Sequence, residues 1–122
     1  MSIQQQVQHL VSLVEQGKML EALETYYADD VAMQENIHPP TVGRAVNLER
    51  ERAFFGALIA VQFRAASVLV SGDRAAINWV FDYTTADGTQ YRMDEIAAQT
   101  WRDGKIVHER FIYDTATLAI AA

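Results

Sequence analysis

The chain has no cysteine, which removes disulfides, thiolate metal sites and cysteine nucleophiles without fixing a compartment. Its two prolines are adjacent, Pro39-Pro40, and only six glycines punctuate 122 residues. No apolar run approaches the ~20 residues of a membrane span. The start, Met1-Ser2-Ile3-Gln4-Gln5-Gln6, has neither the basic nor the apolar segment of a secretory signal. Positive charge is scarce as well: 10 Lys and Arg against 16 Asp and Glu give a formal net charge of -6, and the basic residues are scattered. Such a balance repels phosphate backbones and anionic lipid surfaces. The expectation is a cytoplasmic protein with neither nucleic acid nor membrane as partner.

Half of the residues are apolar and 21% are charged, a globular balance far from that of disordered chains. A single domain over 1–122 of this length buries roughly two-thirds of its unfolded surface. Ser2 and Gln5 form a capping box, and Ile3, Val7, Leu10, Val11 and Val14 recur at helical spacing until Gly17. This predicts a first helix over 3–16. A second helix over 20–27 ends at Asp29-Asp30, and a strand covers 31–35. Adjacent prolines make 36–43 a loop, and helical spacing returns over 44–57. Strands follow over 59–71, 74–85, 89–102 and 105–113, the last three joined by Asp87-Gly88 and Asp103-Gly104, a strong hairpin signal. Helices gathered on one side of an antiparallel meander define an α+β domain. The last residues, 116–122, read as a small, mostly apolar tail that frays or covers part of a dimer interface.

If both Asp-Gly turns are type I with a glycine bulge, Trp79 lies across from Glu95, Phe81 from Met93, and Ala97 from Glu109. One face then gathers Trp79, Phe81, Tyr83, Tyr91, Met93, Glu95, Gln99, Trp101, Glu109, Phe111 and Tyr113. A two-residue turn at either hairpin reverses the partner strand's facing. An aromatic stripe alone is what any sheet core presents to its helices. The embedded acids distinguish this one.

The segment from Tyr27 through Asp29-Asp30 to Glu35, with the Pro-Pro loop and Gly43-Arg44, resembles the first third of nuclear transport factor 2-like domains, especially the SnoaL-like group. Trp101-Arg102-Asp103-Gly104-Lys105-Ile106, followed by Tyr113-Asp114, is similar to the last hairpin of that superfamily. The resemblance implies a cone whose curved antiparallel sheet wraps the N-terminal helices around a central apolar pocket, and it implies a homodimer. In the ketosteroid isomerases of that superfamily the general base stands at the position of Glu35. A carboxylate at an apolar wall is a stronger proton acceptor when ionised. The other reading is a glutamate pointing to solvent beside the loop.

The departures narrow the function. An isomerase oxyanion hole takes a tyrosine on the first helix and a protonated acid on the penultimate strand. Here the first helix has no tyrosine and the acid position falls on Ala97. SnoaL-like polyketide cyclases carry His or Asp on the last strand, where Glu109 and Phe111 stand. Glu95 or Glu109 remains as a second carboxylate beside Glu35, unless Arg64 or Arg110 pairs with it. His38 is placed at the pocket mouth or in a solvated loop, and His9 and His108 on the surface. Gly43-Arg44 either binds an anion at the rim or is structural. No histidine pair has zinc spacing, and no phosphate loop or serine elbow occurs, so neither metal nor cofactor is expected. Three functions stay open: cofactor-independent isomerisation, cyclisation or dehydration of a hydrophobic small molecule; binding without turnover; or homodimeric association with a filled pocket.

Overall fold

Each local signal at the N-terminus has a physical counterpart in the computed structural model, which describes residues 1–115; the expected tail over 116–122 lies outside them. The Ser2 hydroxyl accepts from the Gln5 backbone N–H at 3.1 Å while the Gln5 side chain accepts from the Ser2 N–H at 3.0 Å, opening α1 (Ile3–Glu15). Gly17, at φ 82°, closes it as its N–H reaches the Val14 carbonyl and that of Lys18 reaches Leu13. α2 (Met19–Tyr26) stops before Tyr27, whose extended backbone begins β1 (Tyr27–Glu35). Asp29-Asp30 therefore lie inside a strand that starts at Tyr27, where the sequence suggested Val31.

Within the expected loop a short β2 (Thr41–Val42) pairs back onto Ala32 and Met33. Then come α3 (Arg44–Gly56), β3 (Ala60–Ser71), β4 (Arg74–Thr84), β5 (Gln90–Arg102) and β6 (Lys105–Ile112). The curved sheet has the order β2-β1-β6-β5-β4-β3. Every pairing is antiparallel except β1 with β6, which is parallel. Its inner face packs on the helices, with Val7, Leu10, Leu13 and Leu23 in one cluster with Ile77, Trp101 and Ile106. No helix among the described residues is long and apolar enough to cross a membrane.

The two Asp-Gly hairpins differ. Around Ala86-Asp87-Gly88 the Gly88 N–H bonds to Thr85 O and the Thr85 N–H to Thr89 O, with Gly88 at φ 85°, the bulged turn expected. Trp79 accordingly faces Glu95 across the ladder and Phe81 faces Met93. At the second hairpin Asp103 and Gly104 are both at positive φ, 52° and 77°, and Arg102 pairs with Lys105. That is a two-residue turn of the primed kind. Taken alone it would send Glu109 to the outer face. A bulge at Val107 corrects this: Trp101 pairs with Ile106 but Thr100 with His108. The partner of Glu109 is therefore Gln99, and Ala97 faces Phe111, a register displaced from the expected Ala97–Glu109 pairing although the inward facing is the same.

Gly104 carries a positive φ, and a Cβ there would meet the Gln6 amide nitrogen at 3.1 Å. Gly104→Ala is expected to lose about 1 kcal/mol or more of stability. The urea midpoint measures it, and an unchanged midpoint would contradict the turn geometry.

Candidate functional site

A cavity of about 300 Å³ lies between the inner sheet face and the helices. β1 points Met33 and Glu35 into it at strand periodicity, and α1 and α2 close one side with Leu10, Val14 and Leu23. Helical spacing on α3 brings Arg50, Glu51, Phe54 and Phe55 to the opposite wall. Phe63, Trp79 and Phe81 line β3 and β4, with Phe63 stacked on Phe81 at 4.3 Å and edge-on to Trp79 at 5.7 Å. The wall is aromatic, with four glutamates set into it.

Glu109 is 1% exposed and is held from both sides. The Tyr27 hydroxyl donates to one carboxyl oxygen, and the Gln99 amide donates to the other at 2.6 Å. The Trp101 indole N–H donates to the Gln99 oxygen at 3.0 Å. An indole nitrogen only donates, so it fixes the Gln99 oxygen toward itself and the amide nitrogen toward Glu109. Burial pushes Glu109 up to about 7, and the Tyr27 and Gln99 donors oppose that rise. Desolvation beside Glu109 raises the Tyr27 hydroxyl well above its ordinary range.

Glu95 differs from Glu109 in having no donor. It is 7% exposed and lines the cavity, and no hydrogen bond or ion pair to its carboxyl occurs among the described residues. Burial, followed by the charges of Glu35, Glu109 and Glu51, raises it to about 9. At neutral pH it is a carboxylic acid.

Glu35 lines the cavity with its Oε1 3.6 Å from Arg50 Nη1. Its Oε2 and the Arg50 Nε are buried without hydrogen-bond partners. Burial raises the Glu35 pKa, and Arg50 and then His38 pull it back. Arg50 also stands 3.8 Å from Glu51, which burial likewise raises. The alternative pairings are absent: Arg110 donates to the Asn36 carbonyl at 3.0 Å, and Arg64 acts on Asp82.

Of the residues singled out from the sequence, Glu35, Glu95, Glu109, Trp79, Phe81, Met93, Phe111 and Tyr113 line the cavity. Gln99 and Trp101 do not; they stand behind Glu109 as its hydrogen-bond support. Tyr91 is outside the lining, stacked on Tyr83 at 5.1 Å. His38 is exposed on the loop, tied by its N–H to the Glu35 carbonyl, and is also outside the lining. Arg44 pairs with Asp29 at 2.7 Å and donates to the Tyr27 carbonyl, a structural role. Sequence reasoning missed Tyr27, Arg50 and Glu51. For Tyr27 the only available signal was its place at a helix-to-strand junction.

The raised acids set a sign for stability. An acid whose folded pKa lies above its unfolded value holds its proton longer in the native state, so stability falls as pH rises between the two. For Glu95 that window runs from 4.5 to about 9. Glu95→Gln is expected to exceed the wild type in stability at pH 9 by a few kcal/mol, on the order set by such a shift, with the gap closing toward pH 5. Urea unfolding at the two pH values measures it; a gap that does not change with pH would contradict the assignment.

A family model described as the SnoaL-like domain matches residues 7–109. A candidate SnoaL-like polyketide cyclase from Mesorhizobium loti is 28% identical, with a TM-score of 0.80 over 93% of this chain and 100% of that one. A protein of the nuclear transport factor 2-like class from Burkholderia pseudomallei is 15% identical, with a TM-score of 0.80 over 93% and 91% of the two chains. TerC, co-crystallised with polyporic acid, is 19% identical, with a TM-score of 0.76 over 91% and 90%. The last two likenesses concern the fold alone. Comparison with curated protein sequences gives no match.

Proposed function

The chain belongs to the SnoaL-like domain family, and from that premise we propose that its cavity binds a hydrophobic small molecule and catalyses proton transfer on it by carboxyl acid/base chemistry without a cofactor. The observation that carries this reading is the unequal environment of two acids in one apolar cavity. Burial raises both, but Arg50 pulls Glu35 back toward ionisation, whereas Glu95 has no partner and keeps its proton. Paired carboxyls whose environments push their pKa values apart divide into base and acid.

In this reading Glu35 takes a proton from carbon beside a carbonyl, and Glu95 donates to the carbonyl oxygen as charge develops there. Return of the proton to another carbon completes an isomerisation. Attack of the enol carbon on a second carbonyl, whose oxygen takes the proton from Glu35 while the enol proton returns to Glu95, completes a cyclisation; expulsion of a β-hydroxyl as water, protonated by Glu35 while the enol proton returns to Glu95, completes a dehydration. Glu109 is satisfied by Tyr27 and Gln99, and its role is to keep Glu95 protonated. The likeness to a candidate polyketide cyclase favours ring closure, whereas the first-helix tyrosine and the penultimate acid of a steroid isomerase have no counterpart. A pocket filled by side chains is disfavoured by the open cavity. Homodimerisation belongs to the same proposal: Ile96 and Ile112, cross-strand neighbours on the outer sheet face, are 38% and 43% exposed, an isologous surface by position.

Deuterium exchange at the acidic carbon of aryl 1,3-diketones and hydrophobic cyclic enones, followed by NMR, tests the base directly. The wild type is expected to accelerate exchange, and Glu35→Gln to reduce the acceleration by roughly 10²–10⁴-fold. No acceleration by the wild type, or an equal one by the variant, would contradict the proposal.

A further inference from the structure

The structure assigns to this cavity, on the reading that it binds a small molecule, a ligand that carries an ammonium group on its hydrophobic body. Four carboxyl groups reach it from four elements: Glu35 on β1, Glu51 on α3, Glu95 on β5 and Glu109 on β6. Among the described lining residues Arg50 is the one cation. It is already divided between Glu35, Glu51 and the Asn47 side-chain oxygen. Every ionised state of the wall beyond the first carboxylate therefore carries net negative charge. An anionic ligand is repelled by that field.

Glu95 supplies the independent observation. The residue is 7% exposed, lines the cavity and has no hydrogen-bond or ion-pair partner for its carboxyl among the described residues. A buried polar group in that state costs free energy that a ligand group can recover. Directly across the ladder stands Trp79, edge-on to Phe63, which is stacked on Phe81. A carboxylate beside indole and phenyl rings is the chemistry that holds an organic cation: the anion supplies charge and the ring faces replace water around the ammonium carbons. A neutral body of the same shape would gain the apolar wall alone.

Seating a cation lowers the proton affinity of Glu95. The groups that face it are Glu35 and Tyr27 from β1, Arg50 and Glu51 from α3, Glu109 from β6, and Tyr113 beyond it. With the charges of Glu35, Glu109 and Glu51 already opposing its ionisation, the ligand's charge is the added term that releases the proton, so toward such a ligand Glu95 acts as counter-ion and not as proton donor.

Isothermal titration calorimetry with benzyltrimethylammonium, whose charge is independent of pH, and with its uncharged carbon isostere neopentylbenzene separates charge from shape. The cation is expected to bind roughly tenfold tighter than the isostere, on the scale of a desolvated cation–ring contact. Its affinity should rise from pH 7 to pH 9, with a proton released at pH 7 in buffers of different ionisation heat. In Glu95→Gln the cation-to-isostere ratio should fall below that of the wild type, and the Glu95 contributions to its rise from pH 7 to pH 9 and to the proton release should be lost. If the isostere binds the wild type as tightly as the cation at both pH values, the inference is overturned while the cavity remains a small-molecule site. If neither probe binds, the inference and the ligand-binding reading fail together. The wild-type pair decides the matter even if the variant does not fold.

Discussion

A carboxyl group taken out of water must find donors, find a cation or keep its proton, and the inner wall of this domain is organised around that constraint. Glu109 finds donors in Tyr27 and Gln99. Glu35 and Glu51 share a cation in Arg50. Glu95 finds neither and retains its proton. Because the four share one cavity, each charge raises the proton affinity of the others, and the wall acts as one coupled set. The same constraint ties elements together, since the chain of hydrogen bonds from Tyr27 through Glu109 and Gln99 to Trp101 links β1, β6 and β5.

Two backbone devices make that wall possible. The bulge at Val107 restores the facing that the tight Asp103-Gly104 turn would reverse, and so keeps Glu109 and Phe111 on the inner side with Glu95. At the other wall the start of α3 is locked by Asn47, fully buried, which donates to the Thr41 and Gly43 carbonyls at 3.0 and 2.8 Å. The Asn47 side-chain oxygen accepts from Arg50 Nη2 at 3.1 Å. Asn47 thus connects the loop geometry after β2 to the orientation of the guanidinium that faces Glu35. Backbone at one end of a helix sets electrostatics at the middle of the cavity.

Much of this was legible from local pattern. The capping box, the helical spacing and the strand alternation gave each element except the short β2 within a few residues, and alternation along β4 placed Trp79 and Phe81 together. Glu35 and the facing of Glu95 followed from the family resemblance and from a bulged first hairpin. What escaped depends on non-local geometry. The parallel pairing of β1 with β6 joins segments far apart in sequence, and no periodicity announces it. Tyr27 reads as the end of a helical stripe, yet its extended backbone turns it toward Glu109. Arg50 and Glu51 sit in the charged run Glu49-Arg50-Glu51-Arg52, in which Arg52 and Glu49 pair in solvent. Only the docking angle of α3 separates the half-buried pair from the exposed one. Gln99 and Trp101 have the right facing but stand behind an acid, a depth that alternation does not encode.

The central claim is that desolvation in the cavity keeps Glu95 neutral while leaving it without a protein partner. Its most direct test is the titration of the Glu95 side-chain carboxyl by carbon-13 NMR in the ligand-free protein, assigned by comparison with Glu95→Gln. The account predicts a midpoint near the value of about 9 set by burial and the neighbouring acids. A midpoint near the ordinary 4.5 of a solvated glutamate would contradict it.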